Sequence, residues 1–274
     1  MTESPFNSRP DSSEILTIVG WLWRSPTGPR YEPERANIWA RMIHRHLSLP
    51  HRFILMTDQP EADYDPLIEP VKLWDYWRDL KNKHWGSSKP HCYVRLRAFS
   101  REAAEVFGRR FVSIDLDCVV LRNLDPLFSR KEDFLIFRRS PMTLREQHNP
   151  YNGSMWMMTA GARAQVWEKF KGEESIAAAR KFMGTDQAWL TFILGANEKG
   201  WSVYDGVYGW PRLRNDNSVI RKPPEKARII FFYGGVKPWN MLRPQSAPPP
   251  RWSRRPAPPR PNPENYKWIT EAYQ

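Results

Sequence analysis

Asp115 and Asp117 stand two residues apart, directly after the apolar run Phe111-Val112-Ser113-Ile114 and directly before a second one, Cys118 to Leu121. In extended chain, residues two apart project to the same side. Two carboxylates so placed at the carboxyl end of a sheet strand make a hard oxygen site suited to Mg²⁺ or Mn²⁺. Such an ion would bridge a diphosphate and neutralise the charge that grows on it as its bond to the departing group breaks. The same spacing recurs at Asp63-Tyr64-Asp65, but there in a polar, Pro-flanked loop that reads as solvated surface. For the later pair the competing reading is a strand end with two turn-forming aspartates.

The elements that must position this pair follow from hydrophobic pattern. Ile15 to Val19 is a β-branched apolar run without helical period, hence a buried strand. After a loop holding Pro26, Gly28 and Pro29, Pro33 opens a segment in which Ile38, Trp39, Met42, Ile43 and Leu47 recur on one helical face until Pro50. Phe53 to Met56 is the next strand and ends in Thr57-Asp58. A helix is predicted from about Lys89 through Phe107, stopped by Gly108, then a strand over Phe111 to Ile114. Phe134 to Phe137 and Ser154 to Met158 read as later strands, Ala162 to Phe170 and Thr185 to Leu194 as helices. Alternating strands and helices predict an α/β fold, one mixed sheet with helices on both faces.

Composition bounds the class. The chain has 274 residues, enough for one full core, with 14 Trp, 26 Pro and a formal charge of +12 that attracts anionic partners without choosing among them. Cys92 and Cys118 form no disulfide framework or metal-like spacing, which fits a reducing compartment. Met1 to Glu14 carries no apolar signal core, and Ile15 to Trp23 is far shorter than the roughly 20 residues a membrane span needs. A cytoplasmic location is expected, with peripheral membrane contact allowed. The six histidines show no metalloprotease spacing, and no Gly-rich P-loop is present. From Arg243 to Pro263 the text is Pro, Arg and Ser rich, which reads as an extended arm for an anionic partner or as an inert linker to the short segment Tyr266 to Tyr273.

Other motifs follow in a telling order: Tyr93-Val94-Arg95-Leu96, Asn123-Leu124-Asp125-Pro126-Leu127-Phe128, Tyr151-Asn152-Gly153-Ser154, Asp186-Gln187, and Phe232-Tyr233-Gly234-Gly235-Val236-Lys237-Pro238-Trp239. The series resembles the retaining GT-A glycosyltransferases of family eight, which include glycogenin and bacterial lipopolysaccharide galactosyltransferases, and related uncharacterised bacterial enzymes. Tyr31, Asn37, Arg41, Pro50, Phe53 and Thr57-Asp58 look like the latter group, so the likeness runs loosely over Ile15 to Trp239. It implies a GT-A catalytic domain over residues 14–242, between a disordered tail at 1–13 and a Pro/Arg-rich tail at 243–274.

The resemblance also implies roles. Asp115 and Asp117 would bind the metal and the donor diphosphate. Asp58, Tyr93 and Arg95 would belong to the donor site, the Arg95 guanidinium fork meeting sugar or phosphates, unless it is a helix-surface arginine in an i to i+4 pair. Asn152 would line the pocket beside the transferred sugar. Asp186 and Gln187 would hold sugar hydroxyls at the reacting carbon, the catalytic position, unless they are the first turn of a helix capped by Thr185. Gly234 and Lys237 would lie in a closing loop, the lysine on the diphosphate. The family's metal-binding histidine falls at Phe231 or Tyr233 here; a phenol oxygen of Tyr233 would be the substitute ligand. Trp21 and Trp23 would stack on a uracil ring, with core packing the competing duty for at least one.

The expected function is transfer of a hexose from a UDP-sugar to a hydroxyl acceptor, whether glycan, lipid-linked sugar, protein or modified DNA, with retention and with Mn²⁺ or Mg²⁺. Two other readings stand beside it. One is a catalytically impaired nucleotide- or glycan-binding protein on the same scaffold, suggested by the missing histidine. The other is a basic nucleic-acid-associated protein, suggested by charge and tail.

Overall fold

The computed structural model describes residues 15–25, 28–29, 31–82, 92–139, 149–182, 184–213, 222–233, 236–241 and 266–274; the N-terminal tail, Gly234 and the Pro/Arg stretch 243–263 lie outside them. The first half runs β1 (Leu16–Leu22), α1 (Pro33–His44), β2 (His51–Thr57), β3 (Ile68–Lys72), a 3-10 segment (Cys92–Phe99), α2 (Ala103–Phe107), β4 (Arg110–Ile114), β5 (Cys118–Val120) and α3 (Asp125–Phe128). The second half adds β6 (Phe134–Arg138), β7 (Tyr151–Thr159), α4 (Gln165–Glu168), α5 (Glu173–Ala178), α6 (Asp186–Leu194), β8 (Gly200–Trp201) and β9 (Val207–Gly209). It closes with α7 (Trp210–Leu213), β10 (Ile229–Phe231), α8 (Pro238–Met241) and α9 (Lys267–Ala272).

Seven strands form one mixed sheet in the order β8-β6-β7-β4-β1-β2-β3. β1 pairs in parallel with β2 and β4, and β7 runs against its neighbours β4 and β6. All seven residues of β1 are buried, as a central strand covered on both faces requires. Strand alternation then divides the core. Ile18 and Leu22 face one apolar cluster with α1, while Val19 and Trp21 face a second with the 3-10 segment and α6. Gly20 is needed for close approach, because a Cβ there would meet the Trp39 ring of α1 at 3.0 Å. A second sheet, β9-β10-β5, continues from the end of β4.

Two predicted elements change, and one is added. The helix over Lys89 to Phe107 is, in its described part, a 3-10 segment to Phe99 followed by the short α2. Tyr93, Val94, Arg95, Leu96, Ala98 and Phe99 are all buried, so packing on every side rather than one apolar stripe sets the winding. The helix over Ala162 to Phe170 shrinks to Gln165–Glu168, flanked by Gly161 at φ 78° and Gly172 at φ 64°. β3, for which the sequence pattern carries no expectation, is an edge strand, where Pro70 is tolerated.

The C-terminal boundary is also corrected. Tyr266 to Gln274 is not tail: Trp268, Ile269 and Tyr273 are buried in the main core cluster, and the Trp210 ring meets Tyr266 edge-on at 5.3 Å. Apolar residues recurring three to four apart give α9 a face to bury, and Arg45 of the α1 end holds the backbone of Gln274. Ile269→Ala is therefore expected to cost about 2–5 kcal/mol, read as a lower denaturant midpoint at unchanged slope. An unaltered midpoint would mean that the segment is undocked in solution.

Candidate active site

The carboxyl ends of β1 and β4 and the start of the antiparallel β7 meet at one edge of the main sheet. β4 is prolonged by one bond, Asp115 N donating to Ser154 O at 2.8 Å. The chain then bends at Leu116 and Asp117 and enters β5 in the second sheet. This bend replaces the extended geometry expected of the aspartate pair, and the two carboxylates end in different surroundings.

Asp115 keeps 26% of its side chain exposed and borders a small cavity with Trp21, Trp23, Tyr31, Cys92 and Leu116. That cavity measures about 30 Å³, room for about one water. Arg95 reaches Asp115 from the 3-10 segment, Nη1 donating to Oδ1 at 2.5 Å. Its Nε donates to Asp186 Oδ2 at 3.0 Å, and Nη2 donates to the same oxygen. Arg95 is thus a buried fork between two carboxylates, not a helix-surface residue. Burial alone would lower its pKa; the Asp186 and Asp115 charges overcome this and hold it well above the ordinary value. The Asp115 carboxyl is pushed up, first by burial, with Arg95 opposing and Asp117 and Asp186 reinforcing.

Asp186 is the first residue of α6, where helix dipole and backbone amides favour an anion. Its Oδ1 accepts from Thr185 Oγ1 at 3.1 Å and from Gln187 N at 3.0 Å; Thr185 itself makes no side-chain cap. Gln187 Oε1 accepts from Gly153 N at 3.1 Å. A bulge in β7 makes this possible, since Ile136 pairs with Trp156 while Phe137 pairs with Asn152. Asn152 shapes the bulge by accepting from Ser154 N at 2.9 Å, and it is buried. Gly153 has no substitute here: a Cβ would stand 3.0 Å from Arg95 Nη2 and 3.2 Å from Asp186 Oδ2.

Asp117 is only 3% exposed and grips a different cation. β10 pairs antiparallel with β5, and Phe232 N donates to Asp117 O at 2.7 Å, so the segment after β10 is delivered to this carboxylate. Lys237 Nζ donates to Asp117 Oδ2 and, at 3.1 Å, to Phe232 O. Tyr31 adds a hydroxyl bond to the same Oδ2 at 3.1 Å, its ring edge-on to Trp239 at 4.9 Å. Asp117 Oδ1 is closed off from solvent and, among the described residues, accepts no hydrogen bond.

The remaining predicted residues divide. Trp21 and Trp23 border the cavity but are both buried, and Trp21 Nε1 donates to Ser113 Oγ at 2.8 Å. Asp58 binds Arg78 Nη2 at 2.7 Å and accepts from the backbone N of Arg24 at 3.2 Å. Tyr93 is core: its hydroxyl accepts from Asn82 at 2.9 Å, its ring stacks on Phe170 at 5.5 Å, and burial raises its pKa. Gly234 lies outside the described residues. Tyr31 and Gly153 are the site residues that reasoning from spacing missed; Tyr31 is 86 residues from its partner, and neither position carries a chemical pattern of its own.

The expected donor set for Mn²⁺ or Mg²⁺, Asp115, Asp117 and Tyr233, fits such an ion poorly. One carboxylate opens on the cavity, the second is enclosed with its reachable oxygen bound to an ammonium, and the Tyr233 ring packs over Gly209, its hydroxyl 2.4 Å from where a Cβ there would stand. Phe231, the alternative register for the missing histidine, is buried in the core 5.7 Å from the Phe137 ring. Among the described residues no three His, Cys, Asp or Glu side chains are grouped to hold a metal, where a hard divalent ion takes six or more oxygens.

No family model and no curated protein matches the chain. Solved structures do. The galactosyltransferase LgtC, in complex with donor and acceptor sugar analogues, superposes with a TM-score of 0.50 at 12% identity, covering 82% of this chain and 89% of that one. An active-site mutant of LgtC gives 0.50 at 11% over the same shares. The apo form of the glycosyltransferase GlyE of Streptococcus pneumoniae TIGR4 gives 0.51 at 12%, covering 82% of this chain and 56% of that one. Likeness at this identity concerns the fold, which is the mixed-sheet, single-domain architecture of GT-A glycosyltransferases. Among the described residues no helix is long and apolar enough to cross a membrane.

Proposed function

We propose that the chain is a glycosyltransferase that moves a hexose from a UDP-sugar to a hydroxyl acceptor in the cytoplasm. The observation that carries this reading is the Asp115–Arg95–Asp186 cluster at the carboxyl edge of a GT-A sheet, beside an aromatic-walled cavity. Ligands of open α/β sheets bind at that edge. Asp115, open on the cavity, accepts a hydroxyl of the donor. Asp186 and Gln187 act as positioning residues: the first locks Arg95, the second fixes the Gly153 amide. In the reaction the bond from the hexose anomeric carbon to the diphosphate breaks with its electron pair on the phosphate oxygen. The acceptor oxygen forms the new bond, and its proton leaves with the diphosphate. Retention of configuration enters from the family resemblance alone.

Thermal shift with UDP-glucose, UDP-galactose and UDP-N-acetylglucosamine, with and without Mn²⁺, followed by assay of released UDP, tests the proposal. At about a hundred times Kd a bound donor adds ~2.7 kcal/mol of stability, and slow UDP release is expected with the same donor. The buried Phe231 favours one rival, a nucleotide-binding protein that does not turn over; a shift without UDP release would establish it. No shift with any donor would remove both readings.

A further inference from the structure

Among the described residues, the cation paired with Asp117 is the chain's own Lys237. Lys237 Nζ bonds Asp117 Oδ2 and Phe232 O, and it stands 5.8 Å from the Tyr31 ring that walls the cavity. Tyr31 OH closes the same carboxylate oxygen from the cavity side, and the other oxygen is sealed. A divalent ion would have to break the ammonium pair and the tyrosine bond to gain one ligand, and would then find Asp115 already tied to Arg95. The pairing is built in by the fold. β5–β10 registry places Phe231 opposite Cys118, so the segment that follows must pass Asp117. An isolated buried carboxylate is costly, and its neutralisation by a tethered ammonium removes the electrostatic reason for recruiting a free ion.

We propose that Lys237 takes the seat of the divalent ion at Asp117, so that this chain binds its nucleotide donor without a metal. The inference rests on the UDP-sugar reading above. On donor binding the ammonium bridges Asp117 and the diphosphate, and it offsets the charge released when the anomeric bond breaks, the electron pair going to the phosphate oxygen. Asp117 is then a positioning residue for Lys237.

The test uses the full chain and UDP as probe. Calorimetry in excess EDTA and in Mn²⁺ is expected to give affinities within about threefold of each other, since the same cation serves in both. Mn²⁺ titrated into the chain without nucleotide is expected to keep the electron paramagnetic resonance signal of the free aquo ion. Because Lys237→Met alone strands the Asp117 charge, the double variant K237M/D117N is measured as well. It is expected to unfold at the wild-type temperature yet bind UDP about thirtyfold more weakly, with or without Mn²⁺. UDP affinity tenfold or more stronger with Mn²⁺ than in EDTA, specific Mn²⁺ binding by the chain alone, or wild-type affinity in the double variant would each overturn the inference while leaving the donor reading standing. No UDP binding under either condition would instead defeat the donor reading, and this inference with it.

Discussion

Arg95→Met is expected to unfold at a temperature on the order of 10 °C below the parent chain, at neutral pH, and to show no sugar transfer. The guanidinium is 5% exposed and is the partner of both Asp115 and Asp186. Removing it leaves two carboxylates facing each other with no counter-charge. Breaking a buried pair from one side costs about 3–5 kcal/mol, and each kcal/mol moves the midpoint by about 2–4 °C in chains of this size class. The sign with pH follows. Arg95 is the charge that opposes the upward push of burial on the Asp115 carboxyl, so without it that carboxyl is protonated still more readily in the folded state. The stability it contributes is then present below the ordinary aspartate range, about 3.9, and lost as pH rises through the raised folded value. The deficit against the parent chain therefore shrinks on acidification. Adding Asp186→Asn to the variant is expected to return part of the loss, a coupling that independent sites would not show. Equal melting of parent and variant at neutral pH would mean that the cluster does not form in solution. Lys at this position keeps the charge but not the fork, so Arg95→Lys falls between the two.

Asp115→Asn separates stability from function. The carboxyl is held above its ordinary pKa chiefly by burial, so its ionisation works against the folded state. A raised folded value means that the stabilising contribution is complete below the unfolded pKa and is lost as pH rises through the folded one. At neutral pH the parent chain has lost that contribution and the asparagine variant has nothing to lose. Its midpoint at pH 7 is therefore expected to equal or exceed the parent's, the difference narrowing toward acid pH. Transfer, in contrast, is expected to fall by about a hundredfold or more, the scale seen when one preorganised polar group is taken from a reacting site. A temperature series from pH 4 to pH 8 and a UDP-release assay check both halves. A variant that melts early but turns over normally would reverse the assignment.

Much of the frame was legible because burial writes itself into composition. Runs such as Ile15 to Val19 and Phe111 to Ile114 are apolar but for Thr17 and Ser113, as a strand covered on both faces requires. α1 was legible through its stripe and its Pro33 start. β3 was not, since Pro70 contradicts a strand until the strand is known to lie at an edge. Nor was the docking of α9, whose four aromatic and aliphatic anchors lie beyond a Pro-rich stretch that carries no core signal.

The same division holds at the site. Sequence alone determined that two aspartates follow an apolar strand, that Arg95 stands between the apolar Val94 and Leu96, and that Lys237 follows a pair of glycines, since each is a matter of residue type and neighbours. Which cation each carboxylate holds was decided by tertiary structure. Asp186 lies 91 residues from Arg95, and Lys237 lies 120 residues from Asp117. A two-residue spacing says where side chains point only while the chain stays extended. The bend at Leu116, forced where β4 leaves one sheet and β5 enters another, sends one aspartate to the cavity and the other to a buried ammonium, and local pattern contains no record of that turn.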